Sequence, residues 1–159
     1  MPTEQKTSPK DIFLHLLAII TLYASAGSFI ALIFQYINIF FPDPLEFNSY
    51  ALTAAYSSIR FSIASLIVIF PLYIWTSWHL NKSYQANPSK RNLKIRKWLV
   101  YFTLFAAALI IAGDLVALIN NLLGGELTWR FVLKVATILL VSGSVFGYYF
   151  VDLRKNKIE

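Results

Sequence analysis

The sequence predicts an all-α fold: a polytopic integral membrane four-helix bundle with its N- and C-termini on the cytoplasmic side. Of the 159 residues, 57% are hydrophobic and only 14% are charged. The hydrophobic residues are concentrated in four long segments, and the basic residues that flank them fall mainly on one side. A typical soluble globular protein contains about 25% charged residues. We therefore expect residues 1–159 to form a single transmembrane domain.

Each of the four apolar segments is long enough to cross a membrane. A helix needs about 20 predominantly apolar residues to span a hydrocarbon core about 30 Å thick. The expected spans are residues 12–41, 56–78, 98–123 and 129–151, and residues 79–97 form a basic cytoplasmic loop. The link between the last two spans is so short that these helices should form an antiparallel hairpin.

The first span has clear boundary signals. Ser8, Pro9 and Asp11 supply an N-cap, a proline at the first helical position and an acidic residue at the third, close to a capping box. Pro42 and Pro44 are expected to end the helix. The apolar run continues well past the length of a signal-peptide core, so we interpret it as an uncleaved transmembrane helix.

Boundary signals also predict the limits of the later helices. The second helix is expected to start in water near Ser49. Pro71 should kink it, because proline cannot donate a hydrogen bond to the preceding turn. Gly124 and Gly125 should stop the third helix, and Thr128 should cap the fourth.

The distribution of basic residues predicts the orientation. Eleven of the 14 lysines and arginines lie beside the spans on one side. The two loops on the other side contain no lysine or arginine and carry Asp43, Glu46 and Glu126. By the positive-inside rule, the basic side is cytoplasmic. We therefore expect a multi-pass protein of a prokaryotic cytoplasmic (inner) membrane, with both termini in the cytoplasm.

The lipid bilayer is the main predicted partner. A net charge of +6 would suggest nucleic acid in a soluble protein, but membrane topology explains these basic residues better. No stacking aromatic residues are interleaved with them, so we expect no nucleic-acid binding. Anionic lipid headgroups are candidate ligands of the basic residues before the third span, which are Lys90, Arg91, Lys94, Arg96 and Lys97.

Small residues indicate where helices approach each other closely. Glycine permits short interhelical distances, and the GxxxG spacing is typical of such contacts in membranes. We expect helix packing at Gly27, at Gly113 and at the pair Gly143 and Gly147. Packing inside one bundle is the preferred interpretation of the last pair, and a contact between two copies in a homo-oligomer is the alternative.

Asp114 is the least favourable residue in the expected spans. Counted from Leu123 at 1.5 Å per residue, it lies about 13 Å deep, close to the bilayer centre. Charged residues at such depth are rare and usually functional. The other polar residues of the outer half that we include in this candidate site are Lys134, Arg60, Gln35, Asn38 and Asn120.

Two interpretations of this site remain open. In the first, Asp114 is the exchanging charge of a proton- or cation-binding site in a small channel or transporter subunit, with Gln35, Asn38 and Asn120 as neutral ligands. In the second, Asp114 pairs with Lys134, and the buried charges only fix helix packing in a structural or accessory protein. Side chains lean toward the N-terminus of their own helix, so these two lean in opposite directions, which works against a direct pair.

No cofactor, metal site or enzymatic activity is predicted. The chain has no cysteine, which excludes disulfides, thiolate metal sites and thiol nucleophiles. A single deep aspartate does not supply the pair of carboxylates that an intramembrane aspartic protease needs. One remote alternative is haem held by His15 and His79, because both histidines are expected near the cytoplasmic level.

Several segments together resemble a known family of small prokaryotic membrane proteins. They are SPKDIFLHLLA at 8–18, FQYIN at 34–38, FPD at 41–43, IRKW at 95–98, GDL at 113–115, GGELT at 124–128 and FGYY at 146–149. On these segments the chain is similar to domain-of-unknown-function family 5671 over nearly its whole length. The resemblance implies four spans and a bacterial envelope. It implies no activity, so no functional residue is carried over.

Overall fold

The computed structural model describes residues 8–42, 44–45, 48–88 and 93–156, and this part of the chain is all-α. Its four helices are α1 (Pro9–Phe40), α2 (Ser49–Ala86), α3 (Lys94–Leu123) and α4 (Trp129–Asn156). All four are long and apolar enough to cross a membrane. The predicted all-α fold with four candidate transmembrane helices is therefore confirmed.

The helices extend beyond the predicted spans. They contain 32, 38, 30 and 28 residues in chain order. At 1.5 Å per residue, even the shortest is about 42 Å long, against a hydrocarbon core of about 30 Å. Each helix is therefore longer than the core requires.

Ser8 caps α1 in the predicted way. The Ser8 hydroxyl accepts a hydrogen bond from the Asp11 backbone N–H at 3.2 Å, and the Asp11 carboxylate accepts one from the Ser8 backbone N–H at 3.1 Å. These reciprocal bonds form a complete capping box. The helix ends at Phe40, just before Pro42, as expected.

The N-cap of α2 is Asn48. Its side-chain oxygen accepts a hydrogen bond from the Ala51 backbone N–H at 2.7 Å, so the helix begins at Ser49 as predicted. The helix continues without interruption through Pro71 to Ala86. In a membrane, neighbouring helices can cover the carbonyl that proline leaves without a donor.

The turn between α3 and α4 also follows the prediction. α3 stops at Leu123, and Gly125 adopts a positive φ of 72°, a conformation that glycine reaches without steric strain. The Thr128 hydroxyl accepts a hydrogen bond from the Phe131 backbone N–H at 3.2 Å and so caps α4. This short turn produces the expected antiparallel hairpin.

α1 is the central helix of the bundle. It packs most extensively against α2, while α3 packs against α4, and α1 also contacts α4 and, less extensively, α3. The start of α1, the end of α4 and the connection between α2 and α3 lie at one end, which we call the terminal end. The opposite end carries the α1–α2 connection and the α3–α4 turn, and we call it the loop end.

Small hydroxyl side chains are among the most buried residues of the bundle. Ser62, Thr76 and Thr103 are at most 2% exposed. The Thr76 hydroxyl donates to the Leu72 backbone carbonyl at 2.8 Å, so its polarity is satisfied within its own helix. Small residues of this kind allow helices to approach closely where lipid supplies no hydrophobic driving force.

The surface of the bundle is strongly apolar. Large side chains such as Phe61 and Ile67 on α2 and Leu140 on α4 are more than 60% exposed. An apolar surface of this extent is unfavourable in water and normal in lipid. The finding agrees with the predicted bilayer environment.

The glycines expected to pack inside the bundle have open space at the Cβ position in the described part of the chain. A Cβ atom added at Gly27, Gly113, Gly143 or Gly147 would meet nothing within 4 Å among the described residues. Among the described residues, no atom of another helix therefore lies against these positions, and a packing role for the glycines stays a prediction. A contact between two copies at Gly143 and Gly147 stays a prediction.

Candidate functional site

Four polar side chains, one from each helix, contact one another at the terminal end. His15 of α1 lies 2.6 Å from the Tyr84 hydroxyl of α2. Arg96 of α3 forms an ion pair with Asp152 of α4, and its guanidinium carbon lies 5.4 Å from the centre of the Tyr84 ring. We call these four residues the terminal cluster. It links all four helices through side chains.

The hydrogen bonds of His15 define its protonation pattern. Its Nδ1 atom lies 2.7 Å from the backbone carbonyl of Asp11, which can only accept a hydrogen bond. Nδ1 therefore carries the proton and donates. In the neutral ring, Nε2 then accepts from the Tyr84 hydroxyl at 2.6 Å. Both ring nitrogens of His15 are thus used within the bundle.

The position of Arg96 corrects one predicted lipid contact. Its side chain is buried, with a residue exposure of 6%, and is paired with Asp152. An arginine in this position is not available to a lipid headgroup. Among the other basic residues proposed there, Lys94 and Lys97 remain candidates, whereas Lys90 and Arg91 lie outside the described residues.

A cavity of about 90 Å³ lies beside the terminal cluster. The four cluster residues line it together with further polar groups, which include Tyr73 and Ser77. The cavity is therefore bordered by hydroxyls, an imidazole and a buried ion pair. Polar cavities of this kind in proteins commonly hold ordered water.

The sequence did not reveal this cluster. Tyr84, Arg96 and Asp152 each stand near a helix end, where aromatic and charged residues are expected for topological reasons alone. Asp152 was the available signal, since it is an acidic residue among the basic residues of the carboxyl-terminal tail. An acid in that position indicates a partner inside the protein.

The arrangement also excludes the haem alternative. Both ring nitrogens of His15 are hydrogen-bonded, and His79 stacks on Trp75 at a centroid distance of 5.4 Å and lines a different cavity. Two imidazoles placed in this way do not share one iron. Within the described ranges, no group of three or more histidine, aspartate and glutamate side chains is suited to a metal ion.

Nearer the loop end, the structure brings three polar side chains together. The Arg130 guanidinium donates to the Asn38 side-chain oxygen from Nε at 3.0 Å and from Nη2 at 2.8 Å. The Asn38 amide donates in turn to the Gln35 side-chain oxygen at 3.4 Å. Of the predicted neutral ligands, Asn38 is therefore the partner of an arginine that the sequence analysis had not assigned to the site, and Gln35 is bonded to Asn38.

Asp114 lies in a different environment. It is 9% exposed, and its Oδ2 atom is buried without a hydrogen-bond partner among the residues that the structure describes. The Lys134 ammonium lies 5.4 Å from the centre of the Phe34 ring, in cation–π contact with it. Pairing between Asp114 and Lys134 stays a prediction.

The remaining two candidates stand apart from this group. Arg60 and Asn120 are exposed side chains, on α2 and α3 respectively. An exposed arginine in a span extends along the helix to the headgroups, as expected for snorkelling. The candidate site therefore consists of the carboxylate of Asp114 and, separately, the hydrogen-bonded group of Arg130, Asn38 and Gln35.

Comparison with known proteins gives one match. A family model described as "Domain of unknown function (DUF5671)" matches residues 11–149. The curated proteins and the solved structures give no match. The matched range includes all of α2 and α3 and most of α1 and α4. The chain belongs to the uncharacterised family DUF5671.

Proposed function

We propose that this protein is a small ion- or proton-handling membrane protein, a channel or transporter subunit, in which Asp114 is the exchanging group. The observation that carries the proposal is the buried Oδ2 atom of Asp114, which lacks a hydrogen-bond partner in the described part of the chain. Burying an unpaired carboxylate is strongly unfavourable. The group is therefore expected to take up a proton or to bind a cation, and either event is the elementary step of ion handling.

The surrounding ligands favour a proton over a metal cation. A bound cation requires several oxygen ligands, six or more in the case of calcium. The Asn38 side-chain oxygen already accepts two hydrogen bonds from Arg130, and the Asn120 side chain is exposed. A proton needs only one carboxylate oxygen, which Asp114 provides.

Further hydroxyl groups lie between Asp114 and the terminal end. The Tyr23 hydroxyl of α1 lies 2.6 Å from the Thr103 hydroxyl of α3, and the buried Ser25 hydroxyl has no partner among the described residues. Thr103 stands 11 residues before Asp114 on α3, a distance of about 16 Å along the helix. These groups are possible relay points for a proton, with water bridging the intervals.

We further propose the orientation that the charges favour. The terminal end carries the exposed side chains of Lys10, Lys82 and Lys94, and the loop end carries the exposed carboxylate of Glu126. The positive-inside rule then places the terminal end in the cytoplasm of a prokaryotic cell. In this orientation Asp114 lies in the outer half of the membrane and the terminal cluster lies at its inner face.

The terminal cluster supports a second candidate function. It joins all four helices through His15, Tyr84, Arg96 and Asp152, and so fixes their relative positions. A protein that uses buried polar groups only in this way is a structural or accessory subunit. The two candidates differ in what they require of Asp114, because only the first needs its carboxyl group to exchange a proton.

Proton flux distinguishes the two candidates. We would reconstitute the purified protein in liposomes that contain a pH-sensitive dye and impose a potassium diffusion potential. The proposal predicts a proton flux above that of empty liposomes, which Asp114→Asn abolishes. Glu126→Gln makes the same carboxyl-to-amide change at an exposed residue and is the matched control, with flux expected to be unchanged. Absence of flux in the unmodified protein would leave the accessory function as the better account.

A further inference from the structure

A second cavity opens on the terminal end, between the start of α1 and the last turns of α2. It has a volume of about 250 Å³ and is lined by Lys10 and Leu14 from α1 and by His79, Lys82 and Ser83 from α2. It shares no lining residue with the cavity beside the terminal cluster. It also lies far from Asp114, so it is unrelated to the proposed proton site.

The lining of this cavity suits a phosphate group. Lys10 and Lys82 supply two ammonium groups, and lysine binds phosphate as a point charge. The Ser83 hydroxyl and the His79 ring add hydrogen-bonding groups. None of the lining residues is acidic, so the field inside the cavity attracts anions.

Tryptophan residues indicate the depth of the cavity. Trp75 and Trp78 are 51% and 54% exposed and lie on α2, within two turns of Lys82. The Lys82 ammonium lies 3.8 Å from the centre of the Trp78 ring, and the His79 ring stacks on Trp75. Exposed tryptophan side chains are enriched at the level of lipid headgroups. The cavity is therefore placed where a headgroup phosphate lies in a bilayer.

We infer that this cavity binds the headgroup phosphate of an anionic phospholipid. Basic pockets between transmembrane helices are a known type of site for acidic headgroups. Leu14 provides an apolar wall next to the two lysines, as a molecule with a charged head and apolar chains requires. The inferred ligand is thus a phospholipid with net negative charge, held between α1 and α2.

The site differs from the lipid contacts expected from the sequence. That prediction used the basic residues before α3, where Arg96 has proved to be buried and paired. The cavity instead combines one lysine from each of two helices that are far apart in sequence. Its location follows from the packing of α1 against α2 and not from a run of basic residues.

A charge-matched pair of double variants tests the inference. Lys10→Gln with Lys82→Gln removes both ammonium groups of the cavity, and Arg154→Gln with Lys157→Gln removes two positive charges near the carboxyl terminus. Each protein in detergent is titrated with short-chain phosphatidylglycerol, short-chain phosphatidylcholine or inorganic phosphate, and binding is measured by native mass spectrometry and by the shift in melting temperature.

We expect the unmodified protein to bind phosphatidylglycerol more tightly than the other two ligands. The cavity variant should lose about tenfold or more in this affinity, since each basic residue contributes substantially to the attraction of an acidic headgroup. The carboxyl-terminal variant should stay within about twofold. If the cavity variant is poorly folded, the single variant Lys82→Gln is used instead, and its affinity for phosphatidylglycerol should fall by about threefold or more.

Three results would overturn the inference. They are equal binding of phosphatidylcholine, equal binding of inorganic phosphate, and equal losses of affinity in the two double variants. None of them bears on proton flux through Asp114, so this inference and the proposed function fail or hold separately.

Discussion

The two halves of the bundle differ in whether their buried charged and polar groups have partners. At the terminal end, Arg96 is paired with Asp152, and His15 is hydrogen-bonded through both ring nitrogens. Toward the loop end, Asp114 is buried to a similar degree, but its Oδ2 atom has no partner among the described residues. One half satisfies its buried charges, and the other leaves a carboxylate oxygen unsatisfied.

This difference indicates which buried charge stabilises the fold and which one has another role. Removing one member of a buried pair strands the other and destabilises a protein strongly. Removing an unpaired charge leaves no partner behind and should therefore cost little stability. A buried polar group whose removal costs no stability is therefore retained for a reason other than folding, and membrane proteins use such groups at ion pathways.

The largest effect is expected at the Arg96–Asp152 pair. Asp152→Asn leaves the buried guanidinium without its carboxylate and should reduce the free energy of unfolding by about 3 kcal/mol. Unfolding of the protein in detergent, followed by circular dichroism, measures the loss. The control is Arg154→Gln, an exposed residue of the same helix.

Replacing both members of the pair sharpens this prediction. Arg96→Met combined with Asp152→Leu should recover most of the stability, because no charge is then left unpaired. If Asp152→Asn proved as stable as the unmodified protein, the terminal cluster would not be what stabilises the packing of the helices. The two halves of the bundle would then not differ in the way described.

A smaller loss is expected at the hydrogen bond between His15 and Tyr84. Tyr84→Phe removes the hydroxyl and leaves a ring nitrogen of buried His15 without a partner, which should destabilise the protein by about 1–3 kcal/mol. The same unfolding measurement applies. Tyr50→Phe, at a tyrosine that is 87% exposed, should change stability by less than about 0.5 kcal/mol. Equal effects at both tyrosines would contradict the assignment.

The smallest changes are expected at the glycines of α4. Because an added Cβ meets nothing there, Gly143→Ala and Gly147→Ala should each leave stability unchanged or raise it by up to about 1 kcal/mol. Gly125→Ala should instead lower stability by about 1 kcal/mol, since its φ of 72° is unfavourable for alanine. Light scattering of the α4 variants also tests the homo-oligomer, which a loss of dimer in either variant would support.

Helix number and most helix boundaries could be predicted from the sequence. The boundary signals are local: each acts on backbone within a few residues of its own position, as Ser8 with Asp11, Gly125 and Thr128 do. An apolar segment of about 20 residues defines a span by its length alone. Local signals of this kind are complete in the sequence. They predicted the fold class, both ends of α1, the starts of α2 and α4 and the end of α3.

The side-chain contacts between helices could not be predicted in the same way. His15 and Tyr84 are 69 positions apart, and Arg96 and Asp152 are 56 apart. Their contacts depend on how each helix is rotated about its axis and shifted along it. The sequence of an apolar span hardly specifies either quantity, because any apolar face of the helix can lie against lipid. The neighbours of the glycines depend on the same rotation and shift. Asp114 was recognised because depth alone makes a carboxylate unfavourable, whatever its neighbours are.

The most direct test of the contrast is the unfolding free energy of Asp114→Asn beside that of Asp152→Asn. The account predicts that Asp114→Asn changes stability by less than about 1 kcal/mol, while Asp152→Asn loses about 3 kcal/mol. A loss of about 3 kcal/mol at Asp114 that Lys134→Met restores would contradict the account. It would show that Asp114 is half of a structural ion pair, as Asp152 is.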